Sequence, residues 1–183
     1  MRKAVFFCIA LLFSFCSFSQ GNSVGAYTSF FNSGSRFSFG AIGGGSLTTD
    51  KTFLIGIEYT RSLNKFFRIG AGIKYSYHNI TTDNMSSTGM SNPRHGHIQF
   101  VTIPLYLRAD VWKYVFFTFG TLVDIQAESD LVTTVQGFGV TGGTGFKYDF
   151  KNKTTVFVHP FYEFHPSQDY TMFGLRTGLA YRF

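Results

Sequence analysis

The sequence predicts an all-β fold: a closed, antiparallel, up-and-down transmembrane β-barrel of eight strands, following a cleaved signal peptide. Three observations carry this expectation. Apolar residues recur with a period of two over most of the chain, the signature of strands rather than helices. The alternating segments run about 11–15 residues, where soluble strands usually run about 5–6 and a tilted membrane-spanning strand needs about 9–11. The bulky apolar residues share one face, while glycine and charge share the other, the reverse of a soluble sandwich with charge outside a filled core. Composition agrees. Of 183 residues, 19% are aromatic and 14% charged, which excludes disorder. Beyond the N-terminus no apolar run reaches the ~18 residues of a spanning helix.

Arg2 and Lys3 precede an apolar run from Ala4 to Phe13, and Ser17 and Ser19 stand at −3 and −1 of the bond before Gln20. This is the pattern of a secretory signal, assigned to residues 1–19. Both cysteines, Cys8 and Cys16, fall inside it, so the mature chain is expected to hold no disulfide or thiolate site. The leader also carries two of the 16 basic residues and none of the 10 acids, which leaves a net charge of +4. That surplus is scattered rather than clustered, so no nucleic-acid partner is expected.

Residues 20–35 are read as an N-terminal periplasmic arm and residues 36–183 as the barrel; the alternative, a ninth β segment over Ser23–Phe31, would give an odd strand number, unusual for a bacterial single-chain barrel. The strands are assigned to Arg36–Leu47, Thr52–Ser62, Phe66–Ile80, Ile98–Ala109, Val115–Glu128, Gln136–Tyr148, Thr154–His165 and Tyr170–Phe183. The second sets Phe53, Ile55, Ile57 and Tyr59 against Leu54, Gly56 and Glu58. In the last, Phe173, Leu175, Thr177, Leu179 and Tyr181 oppose Gly174, Arg176, Gly178, Ala180 and Arg182. Arginines on one side of such a strand must face an interior, because an unpaired charge in lipid is too costly. Short polar turns are expected at Leu63–Lys65, Asp110–Tyr114 and Asp149–Lys153. Trp112 and Tyr114 stand where an interfacial aromatic girdle belongs, and Asn79–Gly96 is expected as a long outer loop.

An eight-stranded barrel is only wide enough for side chains to fill. The inward residues Arg36, Glu58, Arg68, Lys74, Arg108, Asp124, Glu128, Lys147, Glu163, Arg176 and Arg182 are therefore expected to form a lumen charge network. Arg36, Arg68, Arg108, Lys147 and Arg182 are placed at the periplasmic end with Glu58, and Lys74 and Arg176 pair with carboxylates at mid-depth. The network has two readings, stabilisation of a packed polar lumen or a narrow ion path. His95-Gly96-His97 has the His-x-His spacing of a metal pair on a strand but lacks a carboxylate companion, so no metal and no cofactor are expected.

The ending Gly178-Leu179-Ala180-Tyr181-Arg182-Phe183 resembles the C-terminal signal of the small outer-membrane β-barrel proteins of Gram-negative bacteria. The resemblance makes Leu179, Tyr181 and Phe183 the residues read by the barrel-assembly machinery. Gly143-Thr144-Gly145-Phe146-Lys147-Tyr148 through Phe161-Tyr162-Glu163-Phe164 resembles a hairpin of the outer-membrane protein A-like transmembrane domain. Ile103-Pro104-Leu105-Tyr106-Leu107-Arg108 resembles a strand common in Bacteroidota porin-like barrels. These likenesses imply an outer-membrane, multi-pass protein; because the matched residues are structural they do not give the activity, and a monomeric, non-enzymatic protein is expected. It would contact outer-membrane lipids including lipopolysaccharide and act through its outer loops in a structural or surface-interaction role. The alternative is an enzyme: His165-Pro166-Ser167 resembles the His-x-Ser motif of the lipid A deacylase family, with Glu163 as the acid. The last strand, however, lacks the acid that family places after its motif. The extracellular ligand is not specified by any residue pattern.

Overall fold

The computed structural model describes residues 21–29, 36–37, 46–85, 91–129, 136–166 and 170–183. The signal-peptide assignment to residues 1–19 lies outside them. The strands are β1 (Asn22–Ser29), β2 (Arg36–Phe37), β3 (Ser46–Ser62), β4 (Phe67–Met85), β5 (Ser91–Asp110), β6 (Val115–Ser129), β7 (Gln136–Asp149), β8 (Thr154–His165) and β9 (Tyr170–Arg182). From β3 to β9 each strand pairs antiparallel with the next. Both β1 and β2 lie between β3 and β9, so they are two segments of one barrel strand and the wall has eight positions. The fold is a closed, all-antiparallel eight-stranded barrel.

Two sequence-based boundaries are corrected. Asn22–Ser29 is part of the wall and not an arm: Asn22 pairs with Arg61 on one side, and Ser23 with Arg182 on the other. Arg36–Leu47 is not a single strand, because Arg36 and Phe37 pair with Thr48 and Leu47 of β3. The expected outer loop over Asn79–Gly96 is also mostly strand, since β4 and β5 stay paired out to Met85 and Ser91. The short turns fall where the polar residues predict. At the first, Asn64 Oδ1 accepts the amides of Phe66 and Phe67, each at 2.8 Å.

The register fixes the geometry. One row of partners runs from Lys147 through Phe157, Gly178, Tyr27, Gly56, Lys74, Thr102 and Asp124 to Gly137. One circuit thus returns to β7 ten residues away, a shear of ten. With a rise of ~3.3 Å and a strand spacing of ~4.7 Å, this corresponds to a tilt of about 41° and a backbone radius of about 8 Å.

The two faces divide as the alternation predicts. Ile57, Phe119 and Phe173 point outward, 59%, 70% and 63% exposed, while Leu54, Lys74 and Glu163 are buried inside. Burying charge and exposing large apolar groups suits a molecule whose surroundings are apolar. The narrow interior imposes a second pattern, glycine opposite ring. Tyr106 on β5 is flanked by Gly70 on β4 and Gly120 on β6, and Tyr27 by Gly56 and Gly178. A methyl group at Gly70 would clash with the Tyr106 ring, and one at Gly120 would meet the Leu105 carbonyl and the Tyr106 backbone.

Two outcomes follow from this packing. Gly120→Val should destabilise by about 1–3 kcal/mol through overpacking against backbone. Gly142→Ala, whose added carbon would sit 3.6 Å from its nearest neighbour, should change stability by less than about 0.5 kcal/mol; urea unfolding of the folded protein compares them. Deletion of Asn22–Ser29 should abolish the compact, detergent-resistant electrophoretic species, whereas loss of a loose arm would leave it unchanged.

Candidate functional site: the charged lumen

Strand β8 supplies the centre of the interior network. Its burial alternates so that Thr155, Phe157, His159, Phe161, Glu163 and His165 all turn inward. Glu163 has no exposed surface. Its Oε2 receives Lys74 Nζ at 2.6 Å, and its Oε1 receives Arg176 Nη2. Lys74 stands on β4 and Arg176 on β9, so this carboxylate ties the wall opposite β8 to its own neighbour. Beside it, His165 Nδ1 lies 2.5 Å from Asp124 Oδ2, and Thr102 donates to Asp124 Oδ1 at 2.7 Å.

A second cluster sits near the short turns and centres on Asp110, a residue the sequence reading assigned to a turn. Its Oδ2 meets Arg68 Nε at 2.9 Å and Lys147 Nζ at 3.0 Å, and its Oδ1 meets Arg108 Nε at 3.0 Å. Asp149 adds a looser contact with Arg182 at 3.7 Å and accepts Thr155 Oγ1 at 2.5 Å. The expectation that only Glu58 opposes the cations at this end is therefore corrected. Glu58 instead accepts the Tyr106 hydroxyl at 2.7 Å. Arg36 is also corrected, since its pairing with Thr171 and Thr48 puts it near the opposite, long-hairpin end.

Between the clusters lies a layer of rings and glycines. Arg108 stacks 3.8 Å over Phe116, and Arg176 stacks 3.8 Å over Phe161. His159, which the sequence reading passed over, is buried here with Nε2 2.9 Å from Thr118 Oγ1. The cavity at this level measures about 20 Å³, lined by Tyr27, Glu58, Tyr106, Arg108, His159 and Arg176 among others. That is room for a water molecule or two. A space of about 10 Å³ lies beside Lys74, Asp124 and Glu163.

The side chains of Arg36 and Glu128, and all of Ser167, lie outside the described residues. Of the other two residues of the deacylase-like motif, His165 Nε2 is 3.8 Å from Glu163 Oε2, and the His165 ring is buried in the lumen. No group of three or more metal-ligating side chains occurs among the described residues. His95 and His97 are each engaged locally, His95 Nδ1 with Thr81 Oγ1 at 3.0 Å and the His97 ring stacked on Tyr77. Leu179 and Tyr181 face outward on β9, and Phe183 closes the wall with its amide on the Asn22 carbonyl at 2.9 Å.

No protein-family model matches the chain, and no curated protein matches it. Solved structures do. The outer membrane protein AlkL, determined in lipid bilayers, is 14% identical with a TM-score of 0.55, over 91% of this chain and 92% of AlkL. Ail, the attachment invasion locus protein of Yersinia pestis, in complex with the heparin analogue sucrose octasulfate, is 13% identical with a TM-score of 0.51. That match covers 90% of this chain and 99% of Ail. The chain shares their fold.

Glu163→Gln removes the counter-charge of two buried cations at once and should lower unfolding free energy by about 3–5 kcal/mol. Asp149→Asn, at a partly exposed pair, should cost less than about 1 kcal/mol on account of the Arg182 contact. Urea titration of the two variants checks the ordering.

Proposed function

We infer that the protein is a multi-pass barrel of the Gram-negative outer membrane, with a lumen closed by its own side chains. It acts as a structural or surface-interaction protein through its outer end. The observation that carries this reading is the filled interior: wall-to-wall ion pairs at two depths and, between them, a ring layer with space for little more than water. The apolar outer face supports membrane insertion. The short turns then face the periplasm and the long β4–β5 hairpin projects outward, where a ligand would meet it. Lipids of that membrane, lipopolysaccharide included, would surround the barrel, and the assembly machinery would read Leu179, Tyr181 and Phe183. The likenesses to the outer-membrane protein A-like domain and to Bacteroidota barrels belong to the same reading. Among the similar folds, the name of Ail marks an attachment protein, which is in keeping with a role at the surface.

The deacylase-like alternative draws no support from the geometry. A lipid substrate would approach from outside, whereas both nitrogens of His165 lie toward lumen carboxylates, Asp124 at 2.5 Å and Glu163 at 3.8 Å. The decisive measurement is recording in a planar bilayer: the protein should insert without discrete conductance steps. Steady unitary currents would replace the closed lumen with an ion path. Lipid A from cells with and without the protein should show the same acyl pattern by mass spectrometry.

A further inference from the structure

The three short turns share a composition that neither the barrel wall nor the lumen network requires. Leu63-Asn64-Lys65-Phe66, Val111-Trp112-Lys113-Tyr114 and Phe150-Lys151-Asn152-Lys153 carry four lysines and no acidic side chain. All four lysines are exposed, and each turn also exposes large apolar or aromatic groups, with Trp112 at 69%. The acids nearest in sequence, Asp110 and Asp149, are turned to the interior cations and to Arg182. The positive charge of this rim is therefore not neutralised by acidic side chains from the turns themselves.

Two local features hold that charge at the level of the rings. Lys65 Nζ lies 4.8 Å from the centroid of Phe66, and Lys113 Nζ lies 5.2 Å from that of Tyr114. Tyr114 is stacked on Tyr148, which meets Phe150 edge-on, so the aromatic belt continues between neighbouring turns. Such rings settle at the boundary of a bilayer, where the headgroup phosphates lie. Lys153 adds a separate sign. Its φ of +68° is in the left-handed region, where glycine or asparagine is the unstrained choice. A lysine here carries a conformational cost that the turn alone gives no reason to bear.

We propose that this rim is a binding surface for anionic phospholipid headgroups of the leaflet it faces. The lysine ammonium groups donate to the headgroup phosphate, while the neighbouring rings and Leu63 sit at the acyl boundary. A compact ammonium on a flexible stem suits a mobile phosphate, which needs charge more than fixed two-point geometry. The proposal rests on the membrane-barrel reading, and the same experiment separates the two.

Trp112 is the single tryptophan of the chain and sits in the proposed surface. The folded protein is reconstituted in phosphatidylcholine vesicles containing an equal mole fraction of either brominated phosphatidylglycerol or brominated phosphatidylcholine. Brominated phosphatidylglycerol should quench Trp112 more strongly. The excess should fall as salt is raised and should vanish when Lys65, Lys113 and Lys151 become Gln and Lys153 becomes Gly. Each lysine near an anionic surface contributes up to about a fivefold change in association. Lys153→Gly relieves the turn, so K153G alone should keep the folded species while reducing the excess. Equal quenching by the two lipids, or an excess that survives all four substitutions, overturns the proposal and leaves the membrane barrel standing. Absence of quenching by either lipid overturns both.

Discussion

Closure of the hydrogen-bond ladder governs the rest of this structure. A sheet with an apolar outer face has no water to satisfy an open edge, so β9 must meet the first strand. The ten-residue shear at which it does so sets a backbone radius of about 8 Å, and that radius dictates the inner face. The two inward tyrosines enter the lumen where both adjoining strands give up their side chains, Gly70 and Gly120 beside Tyr106, and Gly56 and Gly178 beside Tyr27. A charge can enter only where an opposite charge reaches it.

Most of the large apolar residues face outward, and a smaller set that includes Leu54, Ile98, Phe100 and Leu122 is buried inside. Ion pairs, together with a hydrogen bond to the Glu58 carboxylate, join strands that are not neighbours. Lys74 on β4 meets Glu163 on β8, Tyr106 on β5 meets Glu58 on β3, and Lys147 on β7 meets Asp110 on β5. None of these joins adjacent strands. They are tertiary contacts in the sense that a leucine core is, but with a steeper cost for losing one partner, since a stranded charge cannot relax into water.

Period two made seven of the eight wall positions legible from sequence, because β3 to β9 each keep a regular outward row of apolar residues opposite an inner row that contains glycine or charge. The first strand breaks that rule. In β1 the outward residues Val24, Ala26 and Thr28 are small, and the one large ring, Tyr27, is buried inside. With Arg36–Leu47 already counted as a strand, Ser23–Phe31 would make an odd ninth and is set aside as an arm, whereas Arg36–Leu47 joins two short alternating pieces that belong to different strands. Asp110 was missed for a related reason. It adjoins Val111-Trp112, which reads as turn, yet the strand runs one residue further and its side chain falls among three cations. The aromatic–glycine pairing was written in the sequence, but only the register shows which glycine faces which ring.

The filled interior moves attention from the lumen to its two ends, and those ends differ. An ion following the axis would have to separate Glu163 from two cations, cross a layer of rings that leaves space for about one or two waters, and then separate Asp110 from three more. Each separation exposes a charge in a region of low polarity, the costliest arrangement the molecule contains. A wall cross-braced by these contacts has its remaining free surface at the rims. At one, β4 and β5 stay paired out to Met85 and Ser91, well past the last β5–β6 pair at Ile98 and Ser129. At the other, the turns are short, basic and aromatic, with their own amides largely satisfied within the turn. In the proposed reading, the long end would meet a soluble partner, and the short end, with its lysines and rings, would hold a lipid surface.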